Sequence, residues 1–316
     1  MNSRLTALLL AVCGVAVASA QTAPGKAPAT PLAFHRSGDA MIRRLLLSMF
    51  ACLVALPLSA ATLEGMKIHS TSAGKGSKAI VLVHGWTCDD TSWAGQVPEL
   101  SKRYRVITLD LPGHGRSGSP KDGTFSMDLF ARAVEAVRAE QKVDKVILVG
   151  HSMGTPVIRQ YAHLYPRHVA ALVIVDGLVF APAQSARAAA PPLDTAKIMS
   201  PEGLKMREGM INGMFTPKTP ADVKARVLKM MLGASPATAA GAMLATFDAS
   251  YWTDEVMAFP AYGIFAEKSG LLTNPAFMKK VFPKIEYVEM PGTGHFVMLE
   301  QPQEFNRLLM KFVESL

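Results

Sequence analysis

A serine between two glycines is the clearest candidate for chemistry in this sequence. Residues 150–154 read Gly-His-Ser-Met-Gly and follow an unbroken apolar run at residues 146–149. The run predicts a strand buried on both faces of a parallel sheet, and residues 155–164 have a helical pattern. This is the context of a nucleophile elbow, in which a sharp turn strains the serine and leaves no room for bulky neighbours. We predict that Ser152 is a nucleophile; the alternative is an ordinary glycine turn.

A late histidine could supply the base that such a serine requires. A hydroxyl is a weak nucleophile at neutral pH unless a base lies within hydrogen-bond reach. The turn at residues 291–294, Pro-Gly-Thr-Gly, follows a predicted strand and leads directly into His295. We therefore predict that His295 is the general base; the alternative is a histidine that only caps the turn.

The elements that must position these two side chains alternate between strands and helices. A helix is predicted over residues 126–143, with Ser126 as its cap, and a closing amphipathic helix over residues 304–316. Such alternation favours an α/β fold with a mostly parallel sheet, helices on both faces and active-site residues at the carboxyl ends of the strands. The predicted strands are residues 79–83, 104–110, 146–149, 169–175, 260–266 and 285–290.

The pattern changes between residues 180 and 257, where Ala, Pro and Met dominate. Helical pieces are predicted at residues 221–232 and 236–247, and the stretch is too long for a simple connection. We predict a helical cap at residues 180–257, inserted between two halves of a core formed by residues 62–179 and 258–316. Its methionines either line an adaptable apolar pocket or, in the favoured interpretation, mainly fill the cap's own core: Met199, Met206, Met210, Met214, Met230, Met231 and Met243.

The first 61 residues contain two consecutive export-type segments. Residues 1–20 have a charged start, an apolar run and a small-residue end, and the same pattern recurs from Met41 to a cleavage site near Ala61. Two such signals are difficult to use in tandem, so we predict that Met41 is the true start and that the mature protein is exported, periplasmic or secreted. The alternative is an amphipathic or membrane-anchoring helix.

The amino-acid composition argues against some classes of binding partner. Five of the 33 Lys and Arg residues and one of the 25 Asp and Glu residues precede Thr62, which leaves a scattered net charge of +4. That balance does not indicate nucleic-acid binding. After Thr62 the only cysteine is Cys88, so the mature chain is expected to contain no internal disulfide. The mature chain is also expected to have no stable membrane span. No Cys/His cluster of the metal-binding type is evident in the sequence, and no metal is predicted.

Four motifs, in this order, resemble those of the α/β-hydrolase superfamily. They are His84-Gly85-Trp86, the loop at residues 110–117 (Asp-Leu-Pro-Gly-His-Gly-Arg-Ser), the elbow, and Gly-Thr-Gly-His-Phe at residues 292–296 followed by Leu-Glu-Gln-Pro at residues 299–302. The chain looks most like the capped, cofactor-free esterase and haloperoxidase-like branch. The resemblance implies a triad in the order Ser, acid, His, with an oxyanion hole formed by the backbone N–H groups of Met153 and Trp86.

The acid is where the sequence departs from its relatives. They usually carry Asp a few residues after the strand that corresponds to residues 260–266, whereas Ser269 stands here. Some members of the superfamily carry the acid one strand earlier, where this chain has Asp176. We predict Asp176 as the triad acid in preference to Glu267, and a Ser–His dyad is the third alternative. Asp176 as a structural turn cap is the non-catalytic interpretation.

These features predict a serine hydrolase of carboxylic esters that forms an acyl-enzyme. Ser at the elbow disfavours dehalogenases and epoxide hydrolases, since those relatives carry Asp there. Lactone opening, thioester cleavage and perhydrolysis use the same machinery and stay open, as does a non-catalytic ligand-binding relative. The expected partner is a small-molecule ester with an apolar acyl group, without a cofactor, and the sequence leaves the oligomeric state undecided.

Overall fold

The computed structural model describes residues 61–179, 194–267, 269 and 274–316. All of them belong to the compact unit that extends from Leu58 to Leu316. The predicted export region, apart from Ala61, and residues 180–193 of the predicted cap lie outside the described residues. Their assignments therefore stay predictions.

The core of the described chain is a seven-stranded sheet with the spatial order β3-β5-β4-β6-β7-β8-β9. β3 pairs antiparallel with β5, and all the other neighbours are parallel. A separate two-stranded hairpin, β1 and β2, precedes it. The strands are β1 Thr62–Leu63, β2 Met66–Lys67, β3 Ser70–Ala73, β4 Ala79–Val83, β5 Arg105–Leu109, β6 Val146–His151, β7 Val169–Val175, β8 Ala261–Ala266 and β9 Ile285–Met290.

The central strands are apolar because helices cover the sheet. Every residue of β4 and of β6 is buried, as expected for strands without a solvent-facing side. The flanking helices are α1 Val97–Leu100, α2 Met127–Glu140, α3 Gly154–Leu164, α8 Pro275–Val281, α9 Val297–Glu300 and α10 Pro302–Ser315. The predicted helix at residues 126–143 ends three residues early, and Ser126 caps it by accepting a hydrogen bond of 3.0 Å from Leu129 N.

Helices also fill most of the described part of the predicted cap, between β7 and β8. They are α4 Thr195–Met199, α5 Pro201–Asn212, α6 Ala221–Gly233 and α7 Pro236–Phe247. The last two match the predicted helices within one residue, whereas α4 and α5 were not predicted. No single helix in the described ranges is long and apolar enough to cross a membrane; α6 and α7 meet that test only as a pair bent by 94°.

A charged cluster joins α2 to α3. The Glu135 carboxylate accepts hydrogen bonds from Arg138 Nε (2.8 Å) and Nη2 (2.6 Å) on its own helix, and from the buried Tyr161 hydroxyl on α3 (2.7 Å). Burial raises the pKa of Glu135, but the hydrogen bonds from Arg138 and Tyr161 outweigh it, so the pKa lies below its ordinary value. The ionised form is therefore the one that the folded protein stabilises.

We predict that Glu135→Gln lowers the free energy of unfolding at pH 7 by about 1–2 kcal/mol, since it weakens charge-assisted hydrogen bonds. A carboxylate whose pKa is depressed in the folded protein stabilises that protein at pH values above its unfolded-state pKa, about 4.3. This stabilisation is lost as the pH falls through the folded-state pKa. The difference from the parent should therefore shrink below about pH 4. Urea unfolding at several pH values measures it.

Glu304→Gln is the matched control, because Glu304 makes the same paired contact with Arg307 three residues on, at 2.7 and 2.6 Å. Both side chains of that pair are exposed, so the expected loss is below about 0.5 kcal/mol. Equal losses in the two variants would contradict the role given to the buried cluster.

Candidate active site

The turn between β6 and α3 has the geometry of a nucleophile elbow. Ser152 has a φ of 53°, in the left-handed region that non-glycine residues rarely adopt. Such a conformation costs about 1–3 kcal/mol and persists only where the surroundings hold it. Here Ser152 N donates to Val175 O on the neighbouring strand, and Ser152 O accepts from Thr155 N, both at 3.0 Å.

The two glycines of the elbow are required by the close approach of backbones. A Cβ on Gly150 would lie 2.4 Å from Gly154 O, and a Cβ on Gly154 would lie 2.5 Å from Val83 O at the end of β4. Both distances are far inside van der Waals contact, and the atoms they would strike belong to the backbone. The turn can therefore form only when both positions lack a side chain.

The Asp176 carboxylate lies against the His295 imidazole. Asp176 Oδ2 is 2.6 Å from His295 Nδ1, while Asp176 Oδ1 accepts from Ala266 N at 3.0 Å. A carboxylate at Nδ1 selects the tautomer in which Nδ1 carries the proton, so Nε2 is left with its lone pair. His295 is thus arranged to accept a proton at Nε2. The backbone N–H of His295 donates to Met214 O in the cap at 3.0 Å.

The environment of Asp176 favours the ionised form although the residue is buried. Burial raises the pKa of Asp176, but hydrogen bonds from His295, Ser269 and Ala266 together lower it below its ordinary value. The hydroxyl at the position where relatives usually carry the acid therefore supports the carboxylate that lies one strand earlier. Sequence reasoning treated Ser269 only as a missing acid; no signal in one sequence reveals that it bonds to Asp176.

Glu267, the alternative acid, is engaged elsewhere. Its Oε2 accepts a hydrogen bond of 2.9 Å from Gly292 N, in the turn that leads to His295. Among the described residues, the carboxylate that contacts the His295 ring is that of Asp176. The geometry therefore joins His295 to the acid that the sequence favoured.

A cavity of about 460 Å³ brings the predicted site residues together. Its lining includes Ser152, His295 and Asp176 as well as Trp86 and Met153. Much of the remaining wall is apolar and comes from the cap or the segments next to it: Leu178, Met210, Met214, Phe215, Met243 and Phe247.

The methionines of the predicted cap are found in both roles considered from the sequence, and one of them, Met199, is in neither. Met210, Met214 and Met243 line the cavity, whereas Met231 is buried in the core and Met199 is 55% exposed. The cap therefore uses some of its methionines as pocket wall and others as packing.

Trp86 and Met153, whose backbone N–H groups the sequence predicts as oxyanion-hole donors, both line this cavity. In the described part of the chain, neither Trp86 N nor Met153 N donates a hydrogen bond to another protein group. Trp86 is held by its indole Nε1, which donates to Ala239 O on α7 at 2.8 Å. Its loop is fixed by His84, whose Nδ1 donates to Gly85 O at 2.8 Å while Nε2 accepts from Leu111 N at 3.0 Å. This arrangement could receive a developing oxyanion.

His151, inside the elbow motif, supports the loop that carries His295. Its Nε2 donates to His295 O at 2.9 Å, and the two ring centroids are 4.7 Å apart. Burial, together with the charge of the neighbouring His295, lowers the pKa of His151 to about 3. The ring therefore stays neutral and holds the His295 backbone without adding a second positive charge. Its position in the motif was visible in the sequence, but not this contact.

One group of side chains in the described ranges has the chemistry of metal ligands. Nitrogen or oxygen atoms of His69, Asp90 and Asp110 lie within 4.8 Å of one another. The Arg116 guanidinium already lies against both carboxylates, at 2.7 Å from Asp90 and 3.5 Å from Asp110. Asp110 also accepts from the backbone N–H groups of Asp90 and Arg116. The arginine thus supplies the positive charge that a cation would bring.

Comparison with known proteins identifies the fold that holds these residues. The family described as having the alpha/beta hydrolase fold matches residues 78–203. An uncharacterized protein of Mycobacterium tuberculosis is 34% identical over 115 residues, which cover 36% of this chain and 33% of that protein. This chain therefore matches only about a third of that relative's length.

Longer matches have lower identity. A pimeloyl-[acyl-carrier protein] methyl ester esterase of Edwardsiella ictaluri is 24% identical, covering 77% of this chain and 96% of the esterase. A solved thermophilic esterase from Thermogutta terrifontis has a TM-score of 0.70 at 23% identity, covering 81% of this chain and 96% of its own. At 23% identity, this structural similarity shows that the two proteins share a fold. The chain has the α/β-hydrolase fold, and the predicted fold class is confirmed.

We predict that Gly150→Ala lowers the free energy of unfolding by more than about 2 kcal/mol, because the new Cβ would strike backbone atoms that cannot move independently. Thermal and urea unfolding measure the loss. The matched control is Gly209→Ala in α5, where the exposed glycine has no atom within 4 Å of an added Cβ. There alanine should stabilise the helix by up to about 1 kcal/mol. Equal effects in both variants would contradict the packing argument for the elbow.

Proposed function

We propose that this protein is a serine hydrolase that cleaves carboxylic esters through an acyl-enzyme. Ser152 Oγ attacks the ester carbonyl carbon while His295 Nε2 takes the hydroxyl proton. The tetrahedral intermediate collapses, and His295 gives that proton to the departing alcohol. A water molecule, deprotonated by the same nitrogen, then releases the acid and restores Ser152.

The observation that carries this proposal is the 2.6 Å contact between Asp176 and His295 at a cavity that Ser152 also lines. A buried carboxylate at Nδ1 orients the ring and stabilises the imidazolium that forms when Nε2 accepts a proton. The depressed pKa of Asp176 supports this role, since the carboxylate stays ionised at neutral pH.

The unused N–H groups of Trp86 and Met153 support the assignment of the oxyanion hole. Hydrogen bonds from these groups would strengthen as the carbonyl oxygen of the substrate becomes negative. Removing one such donor lowers kcat by about 10²–10³. The left-handed backbone at Ser152 supports the assignment as well. In this turn Ser152 N donates to Val175 O at the end of β7, and the next residue, Met153, lies at the start of α3.

The wall of the cavity favours a neutral substrate with an apolar acyl group. The described residues of its lining include methionines, phenylalanines and a leucine, and no Lys or Arg is among those described residues. A substrate carboxylate would find no Lys or Arg among these described residues, whereas apolar surface would leave water on binding. The two export-type segments further support a periplasmic or secreted location for the mature chain.

A fluorophosphonate probe tests the nucleophile, because it reacts with an activated serine. We predict covalent labelling of the parent protein, detected as one added probe mass, and no labelling of Ser152→Ala. Ser77→Ala is the control, since that serine is exposed and distant from the elbow in sequence, and it should label like the parent. Labelling that persists in Ser152→Ala would overturn the assignment.

The labelled parent should also hydrolyse p-nitrophenyl esters, assayed over rising acyl lengths beside simple lactones and acyl thioesters. Turnover of lactones alone or thioesters alone would keep the serine mechanism and change the substrate class. Labelling without turnover of any of these compounds would contradict the proposed esterase activity.

We predict that Asp176→Asn lowers kcat for a p-nitrophenyl ester by about 10³–10⁴, because the amide can no longer stabilise the imidazolium or fix its tautomer. Glu267→Gln should change kcat by less than about threefold, since its oxygen can still accept from Gly292 N. Steady-state kinetics separate kcat from KM. A large loss of kcat in Glu267→Gln, with kcat of Asp176→Asn close to that of the parent, would assign the acid role to Glu267 instead.

A further inference from the structure

The glutamate of the motif Leu-Glu-Gln-Pro, at residues 299–302, lies close to His295, although the proposed reaction does not use it. Glu300 ends α9, the short helix that begins two residues after the histidine. It is not among the described residues that line the cavity with Ser152. Any effect of Glu300 on the reaction is therefore exerted through other residues.

The Glu300 carboxylate holds the backbone on both sides of His295. Its Oε2 accepts from Gly294 N at 3.0 Å, and its Oε1 accepts from Phe296 N at 3.3 Å. Each oxygen thus takes one of the two N–H groups that flank the histidine. Within the described ranges Glu300 forms no ion pair, so its contacts are with these N–H groups and one hydroxyl. Hydrogen bonds to an ionised acceptor are stronger than those between neutral groups.

The loop that carries His295 is also closely packed against these acceptors. A Cβ on Gly294 would lie 3.0 Å from Glu300 Oε1 and 2.8 Å from Met214 O. The approach of the loop to both groups therefore requires glycine at this position. His295 N donates to the same Met214 oxygen at 3.0 Å. The N–H groups of three successive residues, 294–296, are thus all engaged, two of them by Glu300.

The same carboxylate bonds to the predicted cap. Thr219, in the segment between α5 and α6, donates its hydroxyl proton to Glu300 Oε2 at 2.9 Å. The Thr219 hydroxyl oxygen accepts in turn from Thr216 N at 2.9 Å, and Thr216 lines the cavity that contains Ser152. Thr219 is buried, and a hydrogen bond shielded from water is electrostatically stronger than an exposed one. Glu300 therefore joins the histidine loop to a wall of the cavity.

We propose that Glu300 is a positioning residue for His295, which fixes the histidine loop and holds it against the cavity wall at Thr216. This inference rests on the proposed function, since it concerns the base of that reaction. Asp176 can set the tautomer of the imidazole, but the backbone must hold the ring within hydrogen-bond reach of the serine hydroxyl. A displacement of about 1 Å can cost about 10² in rate. Loss of Glu300 therefore slows the chemical step, while the residues that contact substrate stay in place.

The test compares two glutamates of the full chain by steady-state kinetics with a p-nitrophenyl ester, well below Tm. Glu300→Gln keeps the size of the side chain but has a single acceptor oxygen, so it can no longer hold both flanking N–H groups. We expect kcat to fall by about tenfold to a hundredfold, with KM changed by less than about twofold. Glu304→Gln, which removes an exposed carboxylate bonded to Arg307, should react like the parent.

A second pair of variants tests the bond to the predicted cap without changing Glu300. Thr219→Val removes the hydroxyl that bonds to both Glu300 and Thr216 N, and it should lower kcat by about threefold to tenfold. Thr219→Ser keeps that hydroxyl and should retain most of the parent kcat. This pair decides the question if Glu300→Gln does not fold: equal kcat in Thr219→Val and Thr219→Ser would then overturn the proposal.

A lower Tm of Glu300→Gln with kcat equal to that of the parent would show a purely structural role and overturn the proposal. So would equal losses of kcat in Glu300→Gln and Glu304→Gln.

A readout without turnover separates this inference from the proposed function. Nitrogen NMR of isotopically labelled histidine reports which ring nitrogen of His295 carries the proton. If the parent hydrolyses no ester, the proposed function fails and these signals decide about Glu300. A smaller fraction of the Nδ1-protonated tautomer in Glu300→Gln than in Glu304→Gln would support the positioning role. The same fraction in both variants would overturn it.

Discussion

The close packing of backbone at the elbow is the constraint on which the rest of the site depends. With no side chain at Gly150 or Gly154, α3 begins directly against the end of β4, and Ser152 is held at a φ of 53°. Ser152 N donates a hydrogen bond to Val175 O at the end of β7, and Asp176 N donates one to Ile264 O on β8. Neighbouring strand ends are thus joined by short backbone contacts, and each carries one part of the site.

The strand pattern was predictable because burial on both faces leaves an unmistakable apolar run. β4, β7 and β9 have the predicted limits, and the other predicted strands differ by one or two residues at their ends. The first three strands were not predicted, since they are two to four residues long and β3 depends on pairing with β5 for its existence. The helices α4 and α5 were missed for a related reason: their exposed faces are broad, and their apolar positions are few.

The site could be predicted where chemistry is tied to a local motif, and not where it depends on packing between distant segments. Ser152 and His295 each lie in a recognisable turn. Which of the two carboxylates, Asp176 or Glu267, contacts the imidazole is not visible in the sequence, and neither is the contact of Ser269 with Asp176. The same holds for the buried imidazoles around the site. Burial lowers the pKa of His114 and of His151 to about 3, so both stay neutral.

Two backbone carbonyls of the predicted cap accept hydrogen bonds from residues of the site, so this region does more than cover the cavity. Met214 O, just after α5, accepts from His295 N, and Ala239 O on α7 accepts from the Trp86 indole. Grafting the corresponding segment of a relative would therefore alter the placement of the His295 imidazole and of Trp86 together with the shape of the cavity. In divergence, the shape of the cavity and the positions of His295 and Trp86 are therefore inherited as one unit, since a new sequence in this region must preserve two carbonyl positions.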